Sequence, residues 1–180
     1  MIVDSPKNIE ITVDDKNKET PTLKVLSMSM KSYKTYKKTK EISMISCIVH
    51  EKVECDKPTF KPEKDYKTFS LIRKLENIPF PYNFMDLVKN SKGAISTFQN
   101  EKGMLEFFIS KIAKIDPDLI VGHGICTGMF DTLMDRIEKN KVNMWSRIGR
   151  FNRDLIPKSK KKDGGFYETY WMPRQVTVGR

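Results

Sequence analysis

Histidine and cysteine are scarce in this chain: His50 and His123 are its only histidines, and Cys47, Cys55 and Cys126 its only cysteines. The cysteines are odd in number and scattered, with no CxxC pair, so neither a disulfide framework nor a zinc site can be read. A reducing, intracellular setting is expected. No apolar run approaches the roughly 20 residues that cross a bilayer. The opening stretch "MIVDSPKNIEITVDDK" lacks the basic-then-apolar pattern of a secretory signal, so no membrane partner is expected. Acids are also short, 23 against 33 basic residues, and the resulting charge of +10 suits a polyanionic partner such as nucleic acid. What remains is ordinary globular composition: 180 residues, 38% hydrophobic and 31% charged, enough for one domain with a core.

Residues 1–22 are a polar lead-in. "TLKVLSMSMKSY" (22–33) and "EISMISCIVHEKV" (41–53) are β-rich runs joined by the solvated "KTYKKTK", which predicts an antiparallel hairpin. "CDKPTFKPEK" (55–64) reads as a surface connection, and strands are expected again at 65–72 and 93–98. Asn100 caps a predicted helix whose apolar positions Met104, Leu105, Phe108, Ile109, Ile112 and Ile115 recur at spacings of three and four, and Asp116-Pro117 ends it. "LIVG" (119–122) is a short buried strand, and Met129, Phe130, Leu133, Met134 and Ile137 mark a second helix with one apolar face. The methionines among these positions are core filling. The final "GGFYETYWMPRQVTVGR" alternates toward strand and stops in mid-pattern, so 23–180 is expected to be a C-terminally incomplete domain.

A Pro-bounded turn, a short strand, a glycine-broken loop and a helix follow one another in "DPDLIVGHGICTGMFDTLMDRI" (116–137), an arrangement that places chemistry in many α/β proteins. Together with "EKGMLEFFISKIA", "IPFPYNF" (78–84), "KIDPD" (114–118), "GH" (122–123) and "WSRIGR" (145–150), it resembles the 3′–5′ exonuclease-like domain of B-family DNA polymerases. The resemblance runs from about Leu23 to Arg180. It implies an α/β, RNase H-like fold, a mixed sheet with flanking helices. It also implies a parent enzyme, located in the nucleus, that extends RNA-primed DNA templates in replication. That parent would work with a bound primase and accessory subunits and use Mg²⁺ in its polymerase domain. The polymerase's own motifs are absent from this chain, so no polymerisation and no cofactor are expected of it alone.

Exonucleases of this kind hold two Mg²⁺ ions with several carboxylates, two of them two residues apart on the first strand and so on one face. Aligned through "LKVLS", the resemblance puts Ser29 and Lys31 in those slots, and aligning "VGHGI" without a gap puts Met129 in the third. Serine is a poor Mg²⁺ ligand, and a lysine ammonium repels a cation in a low-dielectric pocket. Gly124 stands where the family commonly has Asn. Sliding the alignment to Asp131 would rescue one acid. At 100° per residue, however, Asp131 and Asp135 fall opposite the apolar face and read as a solvated pair. The expectation is a scaffold whose catalytic groups have been replaced.

His123 reads as a structural turn residue and Cys126 as a plain cysteine. Residues 139–162 carry nine bases, Lys139, Lys141, Arg147, Arg150, Arg153, Lys158, Lys160, Lys161 and Lys162, against one acid, Asp154. Trp145 and Phe151 are interleaved, a pattern that fits phosphates and unstacked bases. Lysines in a merely solvated loop explain "KSKKKDGG" equally well, and "MWSRIGR" reads equally as a packed short helix. Two other functions stay open: a live Mg²⁺-dependent exonuclease using Asp131 and Asp135, and a stand-alone basic nucleic-acid-binding domain.

Overall fold

The computed structural model describes residues 21–36, 38–54, 66–76, 78–91, 94–150, 160–161 and 167–168, without the side chains of 126–127, 160–161 and 167–168. Five strands form one mixed sheet: β1 (Leu23–Lys34), β2 (Lys40–Val53), β3 (Tyr66–Arg73), β4 (Ala94–Phe98) and β5 (Leu119–Val121), in the order β4-β3-β2-β1-β5. β2 runs antiparallel to both β1 and β3, while β4 lies parallel to β3 and β5 parallel to β1. The predicted hairpin is β1–β2. Its ladder slips between Lys31 and Ser32, an irregularity of the β-bulge kind.

Alternation along the strands sends Leu26 and Met28 of β1, Ile45, Cys47 and Val49 of β2, and Phe69 and Leu71 of β3 to one face, where all are buried. Two helices cover that face. In α2 (Glu101–Ile115) the predicted stripe Met104, Leu105, Phe108, Ile109 and Ile112 is buried and Ile115 packs at its margin. The Asn100 side chain accepts from the Gly103 N–H at 2.8 Å, and Asp116 closes the helix in the left-handed conformation with φ 48°. α3 (Phe130–Lys139) buries Leu133, Met134 and Ile137, with Met129 and Phe130 packed beside them.

Two elements were not expected: a seven-residue helix, α1 (Phe84–Asn90), lies between β3 and β4, and a π-helical turn (Ile125–Met129) precedes α3. A 3-10 turn covers Trp145–Ile148 and buries Trp145 and Ser146, the packed short helix that "MWSRIGR" allowed. Of the terminal stretch read as tending to strand, Tyr167–Glu168 is described and pairs as β7 with β6 (Lys160–Lys161). The rest of it, and the lead-in to residue 20, lie outside the described residues.

Candidate functional site

The loop that follows β5 and the adjoining half of β1 form the candidate site. Ser27 of β1 pairs with Val121 of β5, so Ser29 lies two residues further toward the edge that carries Gly122 and His123. Ser29 and Lys31 are both exposed, on the sheet face opposite α2 and α3. Ser29 pairs across the hairpin with Ser46, whose hydroxyl lies 3.0 Å from that of Ser70. At the three slots of the resemblance stand a hydroxyl, an ammonium and a thioether.

Met129 is tied to this edge by close packing. A Cβ on Gly122 would sit 2.7 Å from Met129 Cε and 2.8 Å from the Met28 carbonyl oxygen, so only glycine lets that side chain approach β1. Gly124, with φ 63°, turns the chain into the π-helical segment, a left-handed position that suits glycine. His123 is exposed in that turn.

The two acids of α3 part company. Asp135 is exposed and accepts from Lys139 Nζ at 2.8 Å, as a solvated residue should. Asp131 is half-buried, and its Oδ1 is inaccessible to solvent without a hydrogen-bond partner. A 100° wheel placed it on the solvent side, yet in the first turn of α3 one of its two oxygens is closed off from water. Among the described residues no three or more His, Cys, Asp and Glu cluster as a metal site. The donor set at Ser29, Lys31 and Met129 does not fit a pair of Mg²⁺ ions, which need several anionic oxygens.

A buried ionic network, absent from the sequence reading, locks the turn end of the hairpin, next to Lys31, to both helices. The Glu101 carboxylate accepts from the Ile42 N–H at 2.7 Å, from Arg136 Nε at 3.0 Å and Nη2 at 2.5 Å, and from Asn140 Nδ2 at 3.0 Å. Arg73 Nε donates to the Ile42 carbonyl at 2.6 Å, and its Nη2 to Glu41 and the Tyr33 hydroxyl. Both backbone groups of Ile42, next to the bulge, are thus satisfied by side chains. Glu41 also lies 3.8 Å from Arg136, so two acids and two bases alternate. The available signal was Arg136 falling at the edge of the apolar arc of α3, next to Met129 and Leu133 on the wheel.

The basic stretch is only partly described. Arg147 is exposed. Arg150 is not presented freely: its Nε donates to Asp116 at 2.9 Å and its Nη2 to Asp118 at 2.7 Å. Asp118 Oδ2 also accepts from the Lys24 N–H at 2.9 Å, and that bond, then Arg150, holds its carboxyl below the usual range. Trp145 is 8% exposed and belongs to the core, so it offers no face for a base. Lys160 and Lys161 lie on β6, while Arg153, Lys158 and Lys162 are outside the described residues, as is Phe151.

Residues 2–175 match the family described as DNA polymerase family B, exonuclease domain. The DNA polymerase alpha catalytic subunit of Oxytricha trifallax is 44% identical over 184 residues, covering 100% of this chain and 12% of that protein. The subunits of the same name from Xenopus laevis and Mus musculus are 36% and 34% identical, over 91% and 92% of this chain and 11% of each relative. The chain spans about 12% of the length of the curated relatives it matches. With its mixed five-stranded sheet and helical layer, the chain belongs to the exonuclease-domain family of the B-family DNA polymerases.

Proposed function

We propose that this chain is an exonuclease-derived domain that no longer cleaves, braces a polymerase core and makes weak, sequence-independent contacts to nucleic acid. The observation that carries it is the side-chain set at the candidate site: Ser29 and Lys31 exposed on β1 and Met129 wedged against Gly122. A two-metal hydrolysis needs anionic oxygens there, and these groups supply none. The parent is a nuclear, DNA-directed DNA polymerase that binds nucleotide and extends RNA-primed DNA, with Mg²⁺ in its polymerase domain and primase and accessory subunits as partners. Support comes from the relatives, whose name includes "catalytic subunit". The basic surplus favours a template partner, and no helix among the described residues is long and apolar enough to cross a membrane. Incubating the intact parent with Mg²⁺ or Mn²⁺ and 3′-labelled single-stranded or mismatched DNA tests the reading; no shortening is expected.

A second reading, a metal-dependent exonuclease, has one observation in its favour, the buried and unpartnered Oδ1 of Asp131. In that case digestion appears and Asp131→Ala abolishes it.

A further inference from the structure

We infer that α1 and the segment leading into it form a docking surface for another domain of the same parent polymerase chain, an inference that rests on the proposed function. The stretch "IPFPYNFMDLV" joins β3 to β4 and is apolar without being inside. Ile78 is 59% exposed, Met85 49% and Leu87 60%, and Tyr82 is fully exposed. α1 buries none of its residues. A helix of seven residues is marginal in water by itself, because its nucleation cost is recovered only by length or by tertiary packing. This one is short and buries none of its residues. Its Asn83 cap makes no side-chain hydrogen bond either, and the local support is a stack of Phe80 on Phe84, with centroids 4.5 Å apart and planes 10° from parallel.

Charge selects among occupants. From Glu76 to Ser91 two acids, Glu76 and Asp86, face one base, Lys89, a net charge of −1 within a chain of +10. Between Ile78 and Val88 there is no base to hold a phosphate, so the patch itself does not favour nucleic acid. A protein surface with its own apolar patch is the chemistry that fits, since exposed clusters of large apolar side chains mark protein contacts. Its source is the parent chain: this domain accounts for about 12% of its relatives' length, so most of that chain lies outside these residues and is joined covalently to them. Linkage supplies a high effective concentration, which lets a small patch suffice.

Methionine oxidation of the intact parent chain by dilute hydrogen peroxide, read by peptide mass spectrometry, tests the inference, because a thioether reacts only where the oxidant reaches it. Met85 should oxidise at least about tenfold more slowly than in the urea-unfolded chain, a protection of the size that local docking gives. Leu87→Asp, which touches no core position, should return Met85 to within about twofold of the unfolded rate. Unfolded-like oxidation of Met85 in the unaltered parent overturns the inference. Protection that appears only as protein concentration rises also overturns it, since the occupant is then a second copy. Primer extension by the same preparation separates the two claims: extension with unprotected Met85 sinks the docking surface alone, and protected Met85 without extension sinks the polymerase reading alone.

Discussion

Replacing Glu101 with alanine removes an acceptor that four donor atoms share: the buried Ile42 N–H and two guanidinium nitrogens of Arg136, and the half-buried Asn140 amide. Glu101 and Arg136 are 5% and 7% exposed, so water cannot take the place of the lost carboxylate without opening the junction of β2, α2 and α3. Breaking a buried ion pair by deleting one partner costs about 3 to 5 kcal/mol, most of it the penalty of the charge left behind. For a domain of this size that lowers Tm by roughly 6 to 20 °C. Removing both charges together, as Glu101→Leu with Arg136→Met, leaves the Ile42 N–H as the main orphan and costs only about 1 to 3 kcal/mol. Asp135→Ala, which breaks an exposed pair with Lys139, stays below about 0.5 kcal/mol. Thermal and urea unfolding of the single and double variants provide the comparison. A Glu101→Ala cost under about 1 kcal/mol, or a double variant as costly as the two single ones combined, refutes the claim that this network is buried and coupled.

Trp145→Ala removes a large core side chain and should cost about 3 to 5 kcal/mol in unfolding experiments; normal stability with a selective loss of DNA affinity would return it to the binding surface. Burial pushes the Cys47 thiol up to about 12 from 9.0, so it should stay unmodified by Ellman's reagent at pH 8 until the chain unfolds. The sign is that of a raised pKa: the stability tied to the neutral thiol is complete below about pH 9 and is lost as pH rises from there toward 12. Alanine at Lys158, Lys160, Lys161 and Lys162 should flatten the salt dependence of DNA binding by up to about one unit per lost phosphate contact. Arg150→Ala should leave that slope unchanged, its charge being spent on Asp116 and Asp118; the reverse pattern in salt titrations would assign the contacts the other way.

Where burial follows from apolar spacing, the sequence was a sufficient guide. The β1–β2 hairpin and the stripe of α2 stand where periodicity and turn chemistry put them, because each covers one face of a single core; the strand in "DPDLIVGH" forms as β5 but is not the buried strand expected, Leu119 being 48% exposed and Ile120 and Val121 half-buried. α1 escaped because it is short and buries none of its residues, so no apolar stripe of helical length marks it. The Glu101, Arg136, Glu41 and Arg73 network escaped for the opposite reason: charged residues are normally solvated, and only their pairing across β2, β3, α2 and α3, distant in sequence, makes burial tolerable. Asp131 was placed in solvent by angle alone, and a wheel drawn on one helix does not show that its Oδ1 is closed off at the start of α3. Ser29 and Lys31 were read onto one strand face, and both stand exposed on it.

The central claim concerns the exchanged groups at Ser29, Lys31 and Met129, and nuclease activity of the intact parent chain tests it most directly. With Mg²⁺ or Mn²⁺ present, labelled single strands and mismatched primer ends should keep their full length through purification and long incubation. Metal-dependent shortening that copurifies with the chain and disappears with Asp131→Ala would contradict it, and would make that half-buried carboxylate a catalytic residue.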